Sequence, residues 1–177
     1  IADLETTVYD GQTETEAWAS ALVDIKAPTE PESVLIHHSL QETLDYLVSQ
    51  NEDATLYYHN LKFDGQFWMS YLLTQLHFTQ ELDYLSPTEV RMGNRKDLQN
   101  DEVTYIISDM GQWYSITFKY KNHTYTLKDS LKLIPLSVKS MGKAFKTKYQ
   151  KLDMEYKGKR YAGCTITPEE QAYIAND

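Results

Sequence analysis

The chain has 177 residues, of which 41% are hydrophobic and 24% charged, a composition typical of one globular domain with a sizeable core. Its apolar runs are short and interrupted by charges, and its first residues lack a signal-peptide pattern, which argues against membrane-spanning and secreted proteins. The single cysteine, Cys164, has no internal partner, and no Cys/His pattern suits zinc. We therefore expect residues 1–177 to form one cytoplasmic domain with no membrane contact.

The charge is unevenly distributed. A net charge of −9 argues against a protein that coats nucleic acid generally, because binding to phosphates needs positive charge. Residues 139–160 nevertheless hold many of the cations and only two acids, Asp153 and Glu155. Taken alone, this tract is better interpreted as a solvated lysine-rich surface than as a binding site.

The first part of the chain predicts three strands and a helix. Residues 1–8 and 18–25 alternate as the two strands of a hairpin, and residues 34–38 predict a third strand. Ser39 is placed to cap a helix that ends near Ser49.

The middle of the chain predicts a strand that leads into a helix. Residues 55–59 are strand-like, and Asn60 is placed to cap a helix over residues 61–77. The buried face of this helix is expected to include four apolar residues, Phe63, Phe67, Tyr71 and Leu72. Residues 79–102 are polar and weakly periodic, which favours a loop or an extended excursion.

The last part predicts strands over residues 103–107, 113–120 and 123–127, with a hairpin turn at residues 121–122. A short helix is expected over residues 138–145. The final helix has the clearest start, with Thr167 as N-cap, Pro168 at the first position and Glu170 completing a capping box. Together, these elements favour an α/β fold of the ribonuclease-H-like type, a mixed sheet flanked by helices with a β-hairpin excursion, over a wholly parallel sheet.

Acidic pairs lie near both ends of the chain. Asp3 and Glu5 are two apart on a strand, so both project from one face, where their repulsion is relieved if a divalent cation binds. Oxygen ligands of this kind suit Mg²⁺ or Mn²⁺. Tyr173 and Asp177 are four apart, which places them on one face of a helix. Each pair alone is more often an ordinary solvated surface feature.

Residues 60–64 form a more specific motif at the start of the second helix. An asparagine, an aromatic residue and the carboxylate of Asp64 gather where a polar crevice at a sheet edge is expected. Gly65 follows, although glycine inside a helix costs about 1 kcal/mol relative to alanine. We interpret it as a position where a substrate backbone passes close to the helix, the alternative being a tolerated glycine.

In chain order, D-x-E-T-T at residues 3–7, H-N-L-K-F-D-G at residues 59–65 and Y-x-x-x-D at residues 173–177 form a distinctive combination. The chain resembles the 3′–5′ exonuclease domain of protein-primed family B DNA polymerases from small phages and linear plasmids. The likeness continues through residues 106–108, 110–114, 129–132, 145–146 and 163–177.

The resemblance implies an exonuclease site of the DEDD type, which removes 3′-terminal nucleotides from single-stranded or frayed DNA during proofreading. Its two divalent metal ions, Mg²⁺ or Mn²⁺, would be held by four carboxylates, Asp3, Glu5, Asp64 and Asp177. Tyr173 would orient the attacking water. Lys151, in a K-x-x-hydrophobic motif, would offset charge on the phosphate.

The resemblance also implies binding residues. The single-stranded DNA contacts carry over to Thr6, Asn60, Phe63, Ser130 and Leu131, and contacts with DNA or a terminal protein to His59 and Phe67. Without the resemblance, Phe63, Phe67 and Leu131 would be assigned to the core. The expected partners are the 3′ end of single-stranded DNA, the remainder of the polymerase and a terminal-protein primer, with the chain itself a monomer.

The chain departs from the family's pattern in two respects. Residues 79–102 are longer and more polar than expected, and no polymerase motif is present, so we interpret the chain as an editing domain of a longer polymerase, in the host cytoplasm if phage-encoded. Asp177 is the last residue, and helix ends fray, so we expect weak metal binding there. Two alternatives are a free-standing RNA or DNA exonuclease of the same fold and a catalytically impaired nucleic-acid-binding fragment.

Overall fold

The computed structural model describes the whole chain except residues 8, 29, 87–88, 153, 155–158 and 177, and it describes no side chains at residues 84, 85, 89 and 90. The chain divides into two compact units, residues 1–43 with 134–177 and residues 44–133. No helix within the described residues is long and apolar enough to span a bilayer.

The first unit is built on a three-stranded antiparallel sheet with helices after it in the chain. Its strands, in the order β1-β2-β3, and its helices are β1 (Ala2–Thr6), β2 (Ala17–Leu22), β3 (Leu35–His37), a 3-10 turn (Pro31–Ser33), α3 (Val138–Phe145) and α4 (Pro168–Asn176). Strand β2 is buried along its whole length, as expected for the central strand. The predicted first hairpin, third strand and helix over residues 138–145 are confirmed.

Helix α4 begins with the predicted capping box. The Thr167 amide donates to Glu170 Oε2 at 2.9 Å, and the Glu170 amide donates to Thr167 Oγ1 at 3.3 Å. Arg160, which was not singled out, donates from Nε to Glu170 Oε1 at 2.7 Å, and its guanidinium lies 5.8 Å from the centre of the Trp18 ring. Burial would raise the pKa of Glu170, but the Thr167 amide and Arg160 outweigh it and hold this pKa below its ordinary value of 4.5.

The second unit is built on a five-stranded mixed sheet in the order β4-β10-β9-β8-β5. Its elements are α1 (Leu40–Ser49, which begins in the first unit's range), β4 (Ala54–Tyr58), α2 (Leu61–Ser70), β5 (Thr79–Gln80), β6 (Leu82–Ser86), β7 (Glu89–Met92), β8 (Glu102–Ile107), β9 (Trp113–Tyr120), β10 (His123–Asp129) and a 3-10 turn (Ser130–Lys132). Strand β10 is parallel to β4 and antiparallel to β9. The sheet is therefore mixed, as predicted.

Two local predictions, one before α1 and one between β9 and β10, are confirmed. Ser39 caps α1, since its hydroxyl accepts from the Glu42 amide at 3.1 Å. Lys121 and Asn122 both have positive φ, of 48° and 69°, which suits the tight turn between β9 and β10.

Helix α2 differs from its prediction at both ends. It ends at Ser70 and continues as a π-helical turn over Tyr71–Gln75, rather than reaching residue 77. At its start, Asn60 is in the left-handed region with φ 76° and makes no side-chain cap. The predicted cap is therefore wrong, because at φ 76° this residue lacks the extended backbone that an N-cap needs.

The buried face of α2 is also shifted by about one residue from the expected one. Phe63 is 45% exposed, and Phe67 is only half-buried. The helix and its π-helical turn instead bury six residues, Leu61, Asp64, Gly65, Trp68, Tyr71 and Leu72. Trp68 Nε1 donates to Tyr58 Oη at 2.8 Å, which ties this face to strand β4.

Gly65 is explained by close packing of helix on sheet. A Cβ atom at this position would lie 3.0 Å from Ile116 Cδ1 and 3.1 Å from the Trp113 ring. The interpretation of Gly65 as a path for substrate is therefore replaced by a packing role, because strand β9 occupies the space where a side chain would be.

Within residues 79–102, the described parts form three short strands, β5, β6 and β7, and residues 93–101 connect them to β8 without strand structure, which fits the predicted extended excursion. Strand β5 pairs with β8 through Thr79 and Gln80, and β6 pairs with β7 as a hairpin. The chain thus leaves the sheet edge, forms the predicted hairpin excursion and returns to the same edge.

Replacing Arg160 with Met is expected to lower the free energy of unfolding by about 3 kcal/mol at neutral pH, because it leaves the buried Glu170 carboxylate without its cation. The pKa of Glu170 is lowered in the folded state, so its contribution is present above pH 4.5 and is lost as the pH falls through the folded-state pKa. The deficit of R160M should therefore shrink below pH 4.5, as measured by urea unfolding. Replacing Lys148 with Met removes only exposed contacts, with Glu30 and the Tyr149 ring, and is the matched control, with no measurable change expected. An equal loss of unfolding free energy in R160M at neutral pH and below pH 4.5 would contradict this account.

Replacing Gly65 with Ala is expected to destabilise the protein by about 1 kcal/mol, because overpacking against buried Ile116 outweighs the gain in helix propensity. Replacing Ile116 with Val removes Cδ1, so the double variant should lose less stability than the sum of the two single variants. Urea unfolding of the four proteins measures this coupling. Strict additivity would show that the contact does not limit the packing.

Candidate functional site

Strand β1 carries two of the predicted carboxylates. Along β1, Ala2 and Leu4 are buried and Asp3 and Glu5 are half-buried, which is the alternation expected of a strand. In the ladder with β2, Asp3 lies opposite Ala21 and Glu5 opposite Ala19. The two acids thus lie opposite small side chains on β2.

Tyr173 belongs to the same part of the first unit. It is half-buried on α4 and packs against an apolar cluster that includes Trp18, Ala19 and Ala21. Ala19 and Ala21 are the cross-strand neighbours of the two acids. Packing of α4 therefore brings the tyrosine to the strand that borders Asp3 and Glu5.

Three other predicted residues of this unit have different positions. Thr6 ends β1 opposite Ala17, after a bulge that separates it from Glu5. Lys151 is half-buried in the segment between α3 and α4. Asp177 lies outside the described residues.

Asp64 is the predicted carboxylate of the second unit. It lies in the first turn of α2 and is only 2% exposed, whereas Lys62 and Gln66 on the same helix are exposed. Burying a carboxylate costs free energy unless it is compensated, so an acid at a buried position is more often functional than a surface one. Spacing alone did not distinguish this acid from a solvated one.

The predicted DNA-contact residues of this unit gather where two parallel strands end. Tyr58 and Asp129 are opposite each other as the last residues of β4 and β10. His59 follows β4 and Ser130 follows β10, and His59 Nδ1 lies 3.2 Å from Ser130 Oγ. Ser130 Oγ also donates to the Tyr58 carbonyl at 3.1 Å. We call this group, residues 58–60 and 129–131, the strand-end corner.

Two aromatic rings lie beside the strand-end corner on α2. Phe63 and Phe67 form an edge-on pair with ring centres 5.5 Å apart, and the Phe63 ring is 45% exposed. Exposed aromatic rings of this kind can stack on the bases of a single strand. Assignment of Phe63 to the core, which its pattern alone favours, is wrong.

Asp129 is a member of the strand-end corner that sequence reasoning did not single out. Its Oδ1 atom accepts from the Asn60 amide at 3.1 Å and from the Leu131 amide at 3.0 Å. Lys132 Nζ lies 3.7 Å from its other oxygen, and the residue is 6% exposed. The available signal was an acid two residues after Leu127 on an alternating strand, at a position where an apolar residue would continue the buried pattern.

The oxygen donors suit a hard divalent ion in their chemistry. Two half-buried carboxylates lie two apart on one strand, and the third is buried in the first turn of a helix. Within the described part of the chain, no group of three or more His, Cys, Asp or Glu side chains is arranged to hold a metal ion.

A cavity of about 460 Å³ lies elsewhere in the second unit. It is lined by residues of β7, β8 and β9, including Arg91, Thr104 and Thr117. Thr117 alternates with Ile116, the residue that contacts α2, so the cavity lies on the opposite face of the sheet from Asp64. None of the predicted site residues lines it.

Comparison with known proteins identifies relatives that match most of this chain. The family model for type B DNA polymerases, organellar and viral, matches residues 46–175. The DNA polymerase of Bacillus phage phi29 is 37% identical over 166 residues, covering 90% of this chain and 25% of the phage protein. The DNA polymerase of Streptococcus phage Cp-1 is 30% identical over 154 residues, covering 81% of this chain and 22% of that protein.

Solved structures give the same result. Phi29 DNA polymerase complexed with single-stranded DNA matches with a TM-score of 0.76 and 33% identity, covering 99% of this chain and 28% of that chain. The polymerase complexed with primer-template DNA matches with a TM-score of 0.74. The ribonuclease-H-like mixed α/β fold predicted from the sequence is confirmed by this likeness.

The relatives are much longer proteins, since this chain spans about a quarter of their length. The family model nevertheless matches well over half of the chain, including the strand-end corner and α4 up to residue 175. The chain therefore belongs to the organellar and viral family of type B DNA polymerases.

Proposed function

We propose that this chain is a 3′–5′ exonuclease domain that proofreads for a protein-primed DNA polymerase. The observation that carries the proposal lies in the first turn of α2, which directly follows the strand-end corner: the buried carboxylate of Asp64 is next in sequence to the exposed ring of Phe63. A buried acid beside an exposed aromatic platform suits hydrolysis of a chain whose last base is stacked. Membership of a polymerase family supplies the biological setting.

The four predicted carboxylates would hold two divalent ions, Mg²⁺ or Mn²⁺. When bound, such ions activate water and stabilise charge on the leaving 3′ oxygen in a phosphodiester hydrolysis. Asp3 and Glu5 on β1, Asp64 on α2 and Asp177 would supply the oxygen ligands. Tyr173 would orient the attacking water through its hydroxyl, and Lys151 would offset charge on the phosphate.

The DNA end would be gripped without reading its sequence. Phe63, with Phe67 beside it, would stack on a base, and Leu131 would wedge between bases. Thr6, Asn60 and Ser130 would contact sugar and phosphate. The solved structures of phi29 DNA polymerase with single-stranded and with primer-template DNA support this substrate class.

The partners follow from the relatives, which are DNA polymerases and thus nucleotidyltransferases. We infer that the chain works as a monomeric editing domain beside the remainder of such a polymerase. A terminal-protein primer would contact His59 and Phe67. These two residues lie at the strand-end corner and on the exposed side of α2.

Replacing Asp64 with Asn is expected to reduce exonuclease activity by roughly 100-fold or more, because several kcal/mol of transition-state stabilisation depend on the bound ions. The D3A/E5A double variant should behave in the same way. The rate at which a 5′-labelled single-stranded DNA is shortened, with Mg²⁺ or Mn²⁺ and with EDTA, measures this. Asp53, an acid at the opposite end of the sheet from the strand-end corner, provides the control variant D53N, which should keep full activity. Equal activity in all four proteins would disprove the catalytic assignment.

Replacing Phe63 with Ala is expected to weaken binding of single-stranded DNA by roughly 5- to 100-fold, the range of one lost base-stacking contact. Fluorescence anisotropy in EDTA separates binding from hydrolysis. The variant I106A, which removes an apolar side chain that is 61% exposed on β8, is the control and should bind normally. RNA of the same sequence should bind and be degraded less well than DNA, and a preference for RNA would favour a free-standing RNA exonuclease instead.

A further inference from the structure

We propose that Asp129 is a positioning residue that holds the two DNA-gripping segments of the strand-end corner in fixed relation. This inference rests on the proposed function. It assigns a role to a side chain that does not itself need to contact DNA.

One carboxylate oxygen ties both segments. Oδ1 of Asp129 accepts from the Asn60 amide, which follows β4, and from the Leu131 amide, which follows β10. The first bond spans 69 residues of sequence and the second spans two. A single oxygen atom thus fixes two backbone segments. One carries Asn60 and leads to Phe63, and the other carries Ser130 and Leu131.

The fold creates the need for such an acceptor. Both strands stop at the pair formed by Tyr58 and Asp129, so the amides beyond that pair lose their ladder partners. Asn60 is in the left-handed region, with φ 76° and ψ 60°, which asparagine adopts more readily than most residues, so what requires a partner here is its amide and not its backbone conformation. A carboxylate oxygen can accept both hydrogen bonds at once, and bonds to an ionised acceptor are stronger than neutral ones.

The surroundings suit a charged, buried anchor. Asp129 is 6% exposed, and Lys132 Nζ lies 3.7 Å from Oδ2, which offsets its charge. The two segments are also joined by the Ser130 hydroxyl, which donates to the Tyr58 carbonyl and lies within hydrogen-bond distance of His59 Nδ1. That tie uses the Ser130 side chain, whereas the Asp129 tie uses backbone amides and therefore sets the path of the chain itself.

A matched control exists at the other end of the same strand. Asp53 Oδ1 accepts from the Thr124 amide at 2.7 Å, so its side chain also joins the residue before β4 to a backbone amide of β10. It lies at the start of both strands, away from the strand-end corner. Loss of either acid removes a carboxylate that accepts from a backbone amide of the other segment, one amide at the exposed Asp53 and two at the buried Asp129, but only loss of Asp129 should affect DNA binding.

The test compares D129A, D129N and D53A in the full chain. D129A is expected to raise the Kd for a single-stranded oligonucleotide in EDTA, and its KM in hydrolysis, by roughly 10- to 100-fold, with kcat changed much less. D129N keeps an oxygen that accepts both amides, so it should restore most of the binding. D53A should show a lowered unfolding midpoint but unchanged Kd and KM.

Three outcomes would overturn the inference. The first is a D129A protein whose Kd matches that of D53A at equal loss of stability, which makes Asp129 merely structural. The second applies if D129A does not fold. D129E then keeps the charge but displaces the oxygen by one methylene group, and normal binding by D129E would overturn the role. In the third, the wild-type protein neither binds nor degrades DNA, which overturns the proposed function as well. If the wild-type protein is active and D129A binds DNA like D53A, only the role of Asp129 is overturned.

Discussion

The second unit depends on the parallel pairing of β4 with β10. This register places Tyr58 opposite Asp129 and makes both strands stop at one edge of the sheet. Ligand sites in open α/β sheets form where strands end in this way, because the following segments diverge and leave a crevice. Without this pairing, two segments far apart in sequence, at residues 59–63 and 130–131, would have no common position.

Helix α2 places a buried carboxylate and an exposed aromatic ring next to that edge. Its buried face is anchored by Trp68, which bonds Tyr58, and by Gly65, which lets the helix lie directly on β9. Because a helix turns 100° per residue, anchoring this face exposes Phe63 and buries its neighbour Asp64. Adjacent residues thus obtain opposite environments, an aromatic ring in solvent and a carboxylate in the interior.

The parts of this structure that could be predicted from the sequence are governed by neighbours along the chain. The Thr167–Glu170 capping box and the Lys121–Asn122 turn are local, and both are present as expected. The cap at Asn60 was wrong because that residue's backbone is left-handed, and its amide bonds an acid 69 residues away. Gly65 was misread for a similar reason, since the atoms that exclude a side chain belong to another strand. Asp129 was missed because an acid at a strand end looks like any solvated residue until its partners are known.

The hairpin of β6 and β7 leaves and rejoins the sheet at neighbouring points. The Thr79 amide bonds the Asp101 carbonyl, and the Glu81 amide bonds the Val103 carbonyl, so the two ends of the excursion are fixed side by side. Once its ends are held together, a loop can lengthen at small entropic cost, about 0.6 kcal/mol for each doubling. A change in the length of this hairpin would therefore cost little free energy and would leave the order of the five strands and the strand-end corner as they are.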